Sequence, residues 1–261
     1  MMISRLAVSI LLLFALRGAG GAAAQERAES PVPASSTQML LVLSDTPDAP
    51  FGMLRRFERG PGGGAWRALG DAIPVVLGRN GLGIGIGLHD IEPGPVPEKR
   101  EGDGKSPAGV FRLSSVFGFA PPDEAGYRGI PYVRVAADLE CVDDVDSEYY
   151  NRIVRRGAVT EVDWASSERM RAVGAAYETG IVVDHNTDAP QRGRGSCIFL
   201  HNWTGPQDTT AGCTAMAPTD LTAIARWIRS DRDPVLVQLT EAMYARYRQD
   251  WGLPVVSATE E

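Results

Sequence analysis

The sequence predicts one β-rich domain of the α+β class. From Met39 onward, short apolar runs alternate with turn signals, the pattern of half-buried strands. Only two stretches show helical spacing. At 261 residues, 44% hydrophobic and 23% charged, the chain lies in the ordinary globular range and can bury a core without staples. No internal repeat is evident. A net charge of −7, with Lys99 and Lys105 the only lysines, argues against a general nucleic-acid binder, which needs clustered cations.

Taken in order, residues 1–24 read as a secretory signal. Arg5 lies in a short n-region, Leu6 to Leu16 is the apolar stretch, and Ala22-Ala23-Ala24 is a small-residue cleavage site before Gln25. The apolar stretch is short of the roughly 20 residues of a membrane span. The alternative is an uncleaved anchor, and membrane contact is expected only in that case. Removal of Arg5 and Arg17 takes the formal charge from −7 to −9. Export implies an oxidising compartment. Residues 25–38, polar with Pro, Ala and Ser, are expected to form a flexible leader before a single domain over 39–261.

Strands are expected at Met39–Leu43, Met53–Phe57, Ile73–Leu77, Val110–Leu113, Tyr132–Val135, Gly180–Val183, Cys197–His201 and Val235–Leu239. Glu92 to Lys105, rich in prolines and charges, is expected as an exposed loop. Thr219 is the expected N-cap of a helix whose Leu221, Ile224, Ala225 and Ile228 share one buried face. Ser166 to Glu178 is a second, weaker helix candidate.

The glycine run Gly78 to Gly87 lacks the strand-then-helix context of a dinucleotide fingerprint and reads as strand or bend. Gly104-Lys105-Ser106 lacks the first glycine of a phosphate loop, since Lys99 stands there. Asn202-Trp203-Thr204 matches a glycosylation acceptor but adjoins the strongest chemical candidate.

That candidate is Gly195 to Met216. An apolar strand ends in His201, a polar loop follows, and then come Thr210-Ala211-Gly212-Cys213. A thiol becomes a nucleophile when a base takes its proton, and a histidine at a strand end supplies one if the loop folds back. Gly212 permits a backbone conformation that aims nearby N–H groups at one oxyanion position. On spacing alone, a buried cysteine serving as a small hydrophobe remains the alternative. The Cys and His residues lack paired metal-ligand spacing, so no metal is expected.

The stretch resembles the catalytic core of the L,D-transpeptidase (YkuD-like) family, in a secreted bacterial branch. A histidine on a strand, a spacer, Ser or Thr, one variable residue and Gly-Cys map to His201, Thr210, Ala211, Gly212 and Cys213. Upstream, Gly102 to Phe111 is similar to the family's Lys-Thr-Pro-x-Gly segment. The resemblance spans roughly residues 39–240. It implies a periplasmic or otherwise exported bacterial enzyme acting on peptidoglycan stem peptides, without metal or organic cofactor. Cys213 would form a thioester at the third stem residue with release of D-Ala, and an amine would resolve it as a 3→3 cross-link. Hydrolysis by the same acyl-enzyme, as carboxypeptidase or endopeptidase, and a non-catalytic wall-binding module are the alternatives. By this resemblance His201 is the base, oriented by a backbone carbonyl, and the N–H groups of Ala211, Gly212 and Cys213 are the oxyanion candidates.

Two departures stand out. The His-to-Cys interval is short for the family, and the arginine that many members carry two positions after the cysteine is here Ala215. That arginine can hold a substrate carboxylate; in its place stand Arg192 or Arg194, which read equally as solvated loop charges, or else the substrate differs, and Thr210 is a separate candidate substrate contact. With Cys213 assigned, Cys141 and Cys197 remain, either as one disulfide or as two free thiols. His89 and His185 read as hydrogen-bonded structural residues.

Overall fold

The computed structural model describes residues 30–91 and 94–256. The expected signal segment and the start of the expected leader lie outside the described residues. Among those described, the strands are β1 (Gln38–Ser44), β2 (Phe51–Glu58), β3 (Arg67–Val76), β4 (Leu82–Ile84), β5 (Ser106–Gly118), β6 (Tyr132–Arg134), β7 (Leu139–Val142), β8 (Ile153–Arg155), β9 (Ser167–Arg169), β10 (Thr179–Val183), β11 (Phe199–Asn202), β12 (Thr214–Met216) and β13 (Val235–Thr240). The helices are α1 (Pro122–Ala125), α2 (Pro218–Trp227) and α3 (Glu241–Tyr247). The domain is thus mostly β, with few and short helices.

One large sheet runs β10-β11-β12-β3-β2-β1-β13-β5-β4, and β10 also pairs with β5, so the path closes on itself. β1 is buried along its whole length. It lies parallel to β13 and antiparallel to β2, with α3 packed on β1 and β13. A strand covered on both faces needs a continuous apolar run, and Met39 to Leu43 supplies one. A second sheet, β8-β7-β9, stands apart. Between the two sheets lies a satellite core of Phe117, Leu139, Cys141, Met170, Tyr177, Cys197, Phe199 and Cys213.

All eight expected strand regions are strands. Four other expectations are corrected. Residues 30–38 are not a free leader: Val32 is buried, and the Arg59 guanidinium donates to the carbonyls of Pro33 and Ser36, each at 2.7 Å. Ser166 to Glu178 forms no α-helix. β9 pairs with β7 there, and Gly174, at φ +78°, starts a 3-10 turn. Helix α2 starts one residue early, with Ala217 at the N-cap and Pro218 in the first turn, where its missing N–H costs nothing. The Glu92 to Lys105 loop is only partly exposed, because Val96 and Lys99 are buried. Helix α3 was not expected; the Thr240 hydroxyl caps it by accepting from Met243 N–H at 3.1 Å.

Gly109, at φ +142°, is where a glycine is required. A Cβ there would sit 1.9 Å from the His89 ring. His89 Nδ1 accepts from Val110 N–H at 2.9 Å, and Nε2 faces the Gly85 carbonyl at 3.2 Å. His185 is likewise bonded at both nitrogens, to Ile86 N–H and the Arg194 carbonyl. Burial pushes its pKa down to about 3, which keeps it neutral.

Strands that are not sheet neighbours are tied together by Gln238, fully buried on β13. Its Nε2 donates to the Pro107 carbonyl at the start of β5, and its Oε1 accepts from the Thr214 hydroxyl on β12, both at 2.8 Å. Replacing it with an apolar isostere strands both partners without water. Gln238→Leu is expected to lower the unfolding free energy by about 2–4 kcal/mol. Urea denaturation checks this as a lower midpoint at unchanged slope.

Candidate active site

Cys213 stands immediately before β12, and His201 lies on β11. The two strands are parallel, with Leu200 opposite Thr214 and His201 opposite Ala215. Strand side chains alternate between faces, so Phe199, His201, Cys213 and Ala215 share one face. Cys213, His201, Thr210, Ala211 and Ala215 line one cavity of about 210 Å³, together with Tyr177, Glu168 and Asp208. The spacer between His201 and Cys213 thus folds back as its length requires. Ala215 leaves open the space beside His201.

The turn that carries Cys213 is held by hydroxyls. The Cys213 carbonyl accepts from Ser106 Oγ at 2.7 Å and Thr210 Oγ1 at 2.6 Å. Ser106 in turn accepts from Gly78 N–H at 2.8 Å. Thr210 is anchored to the end of β3 by backbone bonds to Leu77 and Arg79. Gly212 is at φ +156°, and a Cβ there would lie 3.1 Å from the Lys105 carbonyl.

The sulfur accepts from Phe199 N–H at 3.3 Å, and the thiol donates to the Cys197 carbonyl at 3.5 Å. Burial, then the nearby Glu168, push its pKa up to about 12. His201 Nδ1 lies 2.8 Å from the Asn202 carbonyl. A carbonyl only accepts, so Nδ1 carries the proton and Nε2 keeps its lone pair. Burial lowers the His201 pKa, so the ring is neutral at pH 7. Among the described residues no hydrogen bond joins His201 to Cys213. The Tyr177 ring stands edge-on to His201 at 5.5 Å, and its hydroxyl faces the sulfur.

Three other assignments change, those of Gly212, Thr210 and the pair Arg192 and Arg194. The Gly212 N–H donates to Thr210 Oγ1 at 3.1 Å, which removes it from the oxyanion candidates and leaves Ala211 and Cys213. The same contacts make the Thr210 hydroxyl a brace of the turn. Arg192 and Arg194 do not line the cavity: Arg192 pairs with Asp146 at 3.8 Å, and Arg194 bonds the Lys99 carbonyl and Glu98. They are not placed to hold a substrate at Cys213. Asn202 is 4% exposed and its Nδ2 donates to the Ala175 carbonyl, so it is no glycan acceptor in the folded domain.

A family model for the L,D-transpeptidase catalytic domain (YkuD) matches residues 62–237, more than half of the chain and all of this site. The chain belongs to that family. No curated protein and no solved structure matches it.

In this L,D-transpeptidase-family domain the small sheet is joined to the site covalently. Cys141 on β7 and Cys197 form a disulfide, with Cα atoms 5.9 Å apart. Cys197 is at φ +55°, unusual for a residue with a side chain. Its N–H donates to Asn151 Oδ1 at 2.9 Å, and its carbonyl holds the thiol. Ser106, Tyr177 and Glu168 were missed as site residues. Ser106 carries a signal, its place beside Pro107 in the quoted upstream segment; the other two carry none. Replacing Cys141 and Cys197 together by alanine is expected to cost about 2–5 kcal/mol of stability. Denaturant titration with and without reductant tests this: wild type loses stability on reduction and the double variant does not.

Proposed function

We propose that this protein is an exported peptidoglycan L,D-transpeptidase. The observation that carries the reading is a cysteine immediately before one strand and a neutral histidine on its parallel neighbour, lining one cavity, in a chain of this family. In this reading the Cys213 sulfur attacks the carbonyl of the third stem-peptide residue. A rotation of the thiol away from the Cys197 carbonyl brings its proton to His201 Nε2. The S–C bond forms, the amide bond to D-Ala breaks, and His201 passes the proton to the departing amine. The amine of a neighbouring stem then attacks the thioester, gives its proton to His201, and leaves a 3→3 cross-link with the thiol restored.

The Asn202 carbonyl supports this cycle by stabilising the imidazolium while it holds the proton. The Ala211 and Cys213 N–H groups are the proposed oxyanion donors, each worth about 3 kcal/mol in the transition state. A thiol with its pKa pushed so high does not ionise alone at neutral pH, so a base at the moment of attack is necessary.

A stem tetrapeptide is the direct test. Mass spectrometry is expected to find released D-Ala and cross-linked dimers; shortened monomers alone assign hydrolysis instead. A carbapenem, which acylates this family by resemblance, is expected to add once to the wild type and not to Cys213→Ala. His201→Ala is expected to slow acylation by roughly 10²–10⁴-fold with the fold retained. An adduct that survives Cys213→Ala, or a folded wild type that yields neither adduct nor D-Ala, overturns the proposal.

A further inference from the structure

The charge of the cavity points to the acyl donor it accepts. Among the described residues, Glu168 and Asp208 line it and no lysine or arginine does. His201 is neutral, and Ala215 brings no charge. An ammonium entering this space meets two carboxylates.

Glu168 is the one beside the nucleophile. It stands on β9 directly across from Cys141 of β7, so the disulfide to Cys197 holds it toward the Cys213 side. Its Oε2 accepts the Tyr177 hydroxyl at 2.6 Å, which leaves Oε1 for a ligand. The charged groups around it do not neutralise it. Asp143, after β7, and Glu101, in the loop before β5, have the same sign. Lys99, facing Cys213 from that loop, is taken by Asp103 at 2.7 Å. Burial first, opposed by the Tyr177 bond and helped by those acids, raises the Glu168 pKa to about 7. An ionised Glu168 opposes a second negative charge on the neighbouring sulfur.

We propose that Glu168 selects the donor by binding the side-chain ammonium of a diamino acid at the third stem position, and that this pairing offsets the negative charge beside the Cys213 sulfur. The empty site is then held unreactive, and the correct donor activates it. This assignment rests on the peptidoglycan reading above.

Two measurements test it, the first without any turnover. At pH 8, iodoacetamide is expected to alkylate Cys213 about tenfold faster in Glu168→Gln than in wild type, the effect of one unit in the thiol pKa. Glu168→Asp, which keeps the charge, is expected to stay slow. Second, D-Ala release is compared for two tetrapeptide donors, one with its side-chain amine free and one with it acetylated. Wild type is expected to favour the free amine by roughly tenfold or more in kcat/KM, the loss of one charge-assisted bond. In Glu168→Gln the preference falls to near one, chiefly through KM. Slower or unchanged alkylation in Glu168→Gln overturns the proposal. Equal use of both donors by wild type overturns it while leaving the peptidoglycan reading intact. Release from neither donor overturns both.

Discussion

The carbonyl oxygen of Cys213 accepts two hydroxyl protons, from Ser106 at the start of β5 and from Thr210 within its own turn. Ser106 is held by Gly78 after β3, and the next residues, Pro107 and Thr214, are joined through Gln238 on β13. Four strands of the closed sheet therefore converge on one peptide unit. A backbone fixed this way costs no reorganisation when charge develops near it, the condition for effective stabilisation of an oxyanion. The same clamp explains why the Thr-x-Gly-Cys and Lys-Ser-Pro segments belong together although about a hundred residues separate them. One hydroxyl comes from each, and both end on the same oxygen.

The large sheet positions Cys213 from one side, and the small sheet holds its surroundings from the other. The disulfide anchors Cys197 in a left-handed conformation that a side chain resists, and Asn151 ties its N–H. Strain of about 1–3 kcal/mol persists only when its surroundings over-determine it. Here the return is positional: the Cys197 carbonyl takes the thiol hydrogen, and two residues on, Phe199 N–H meets the sulfur. Across β7 and β9, Glu168 pairs opposite the cross-linked Cys141 and lines the same cavity as Cys213.

Sequence revealed what is contiguous or periodic. The strand regions follow from alternating apolar runs, and His201, Thr210, Gly212 and Cys213 lie in one readable stretch. Helix α2 was legible from its buried stripe, although Pro218 displaced the expected cap. What was not legible depends on tertiary contact. Tyr177 and Glu168 lie in a stretch whose spacing suggested a helix, until pairing with β7 and the break at Gly174 overrode it. Arg192 and Arg194 looked suited to a carboxylate because charge can be read in one dimension and direction cannot; each turns to an acid outside the cavity. The Gly212 amide looked free for the same reason, with the Thr210 hydroxyl two residues away bending back to take it.

These misreadings share a physical cause with the electrostatics of the site. Among the described residues no arginine lines the cavity; Arg192 and Arg194 pair with acids outside it, and the buried Lys99 is paired with Asp103. Burial and Glu168 raise the thiol pKa, and the Phe199 N–H and the Lys99 ammonium only partly oppose them. In the proposed reaction, a nucleophile so arranged gains little from standing activation and most from a proton acceptor brought into play at attack. In that reading the chemical weight falls on the neutral His201, whose Nδ1–H is committed to the Asn202 carbonyl and whose Nε2 is left to receive. A buried, protonated thiol also resists oxidation, because the thiolate is the reactive form. The burial that slows ionisation of Cys213 thereby also protects a free thiol that stands beside a disulfide.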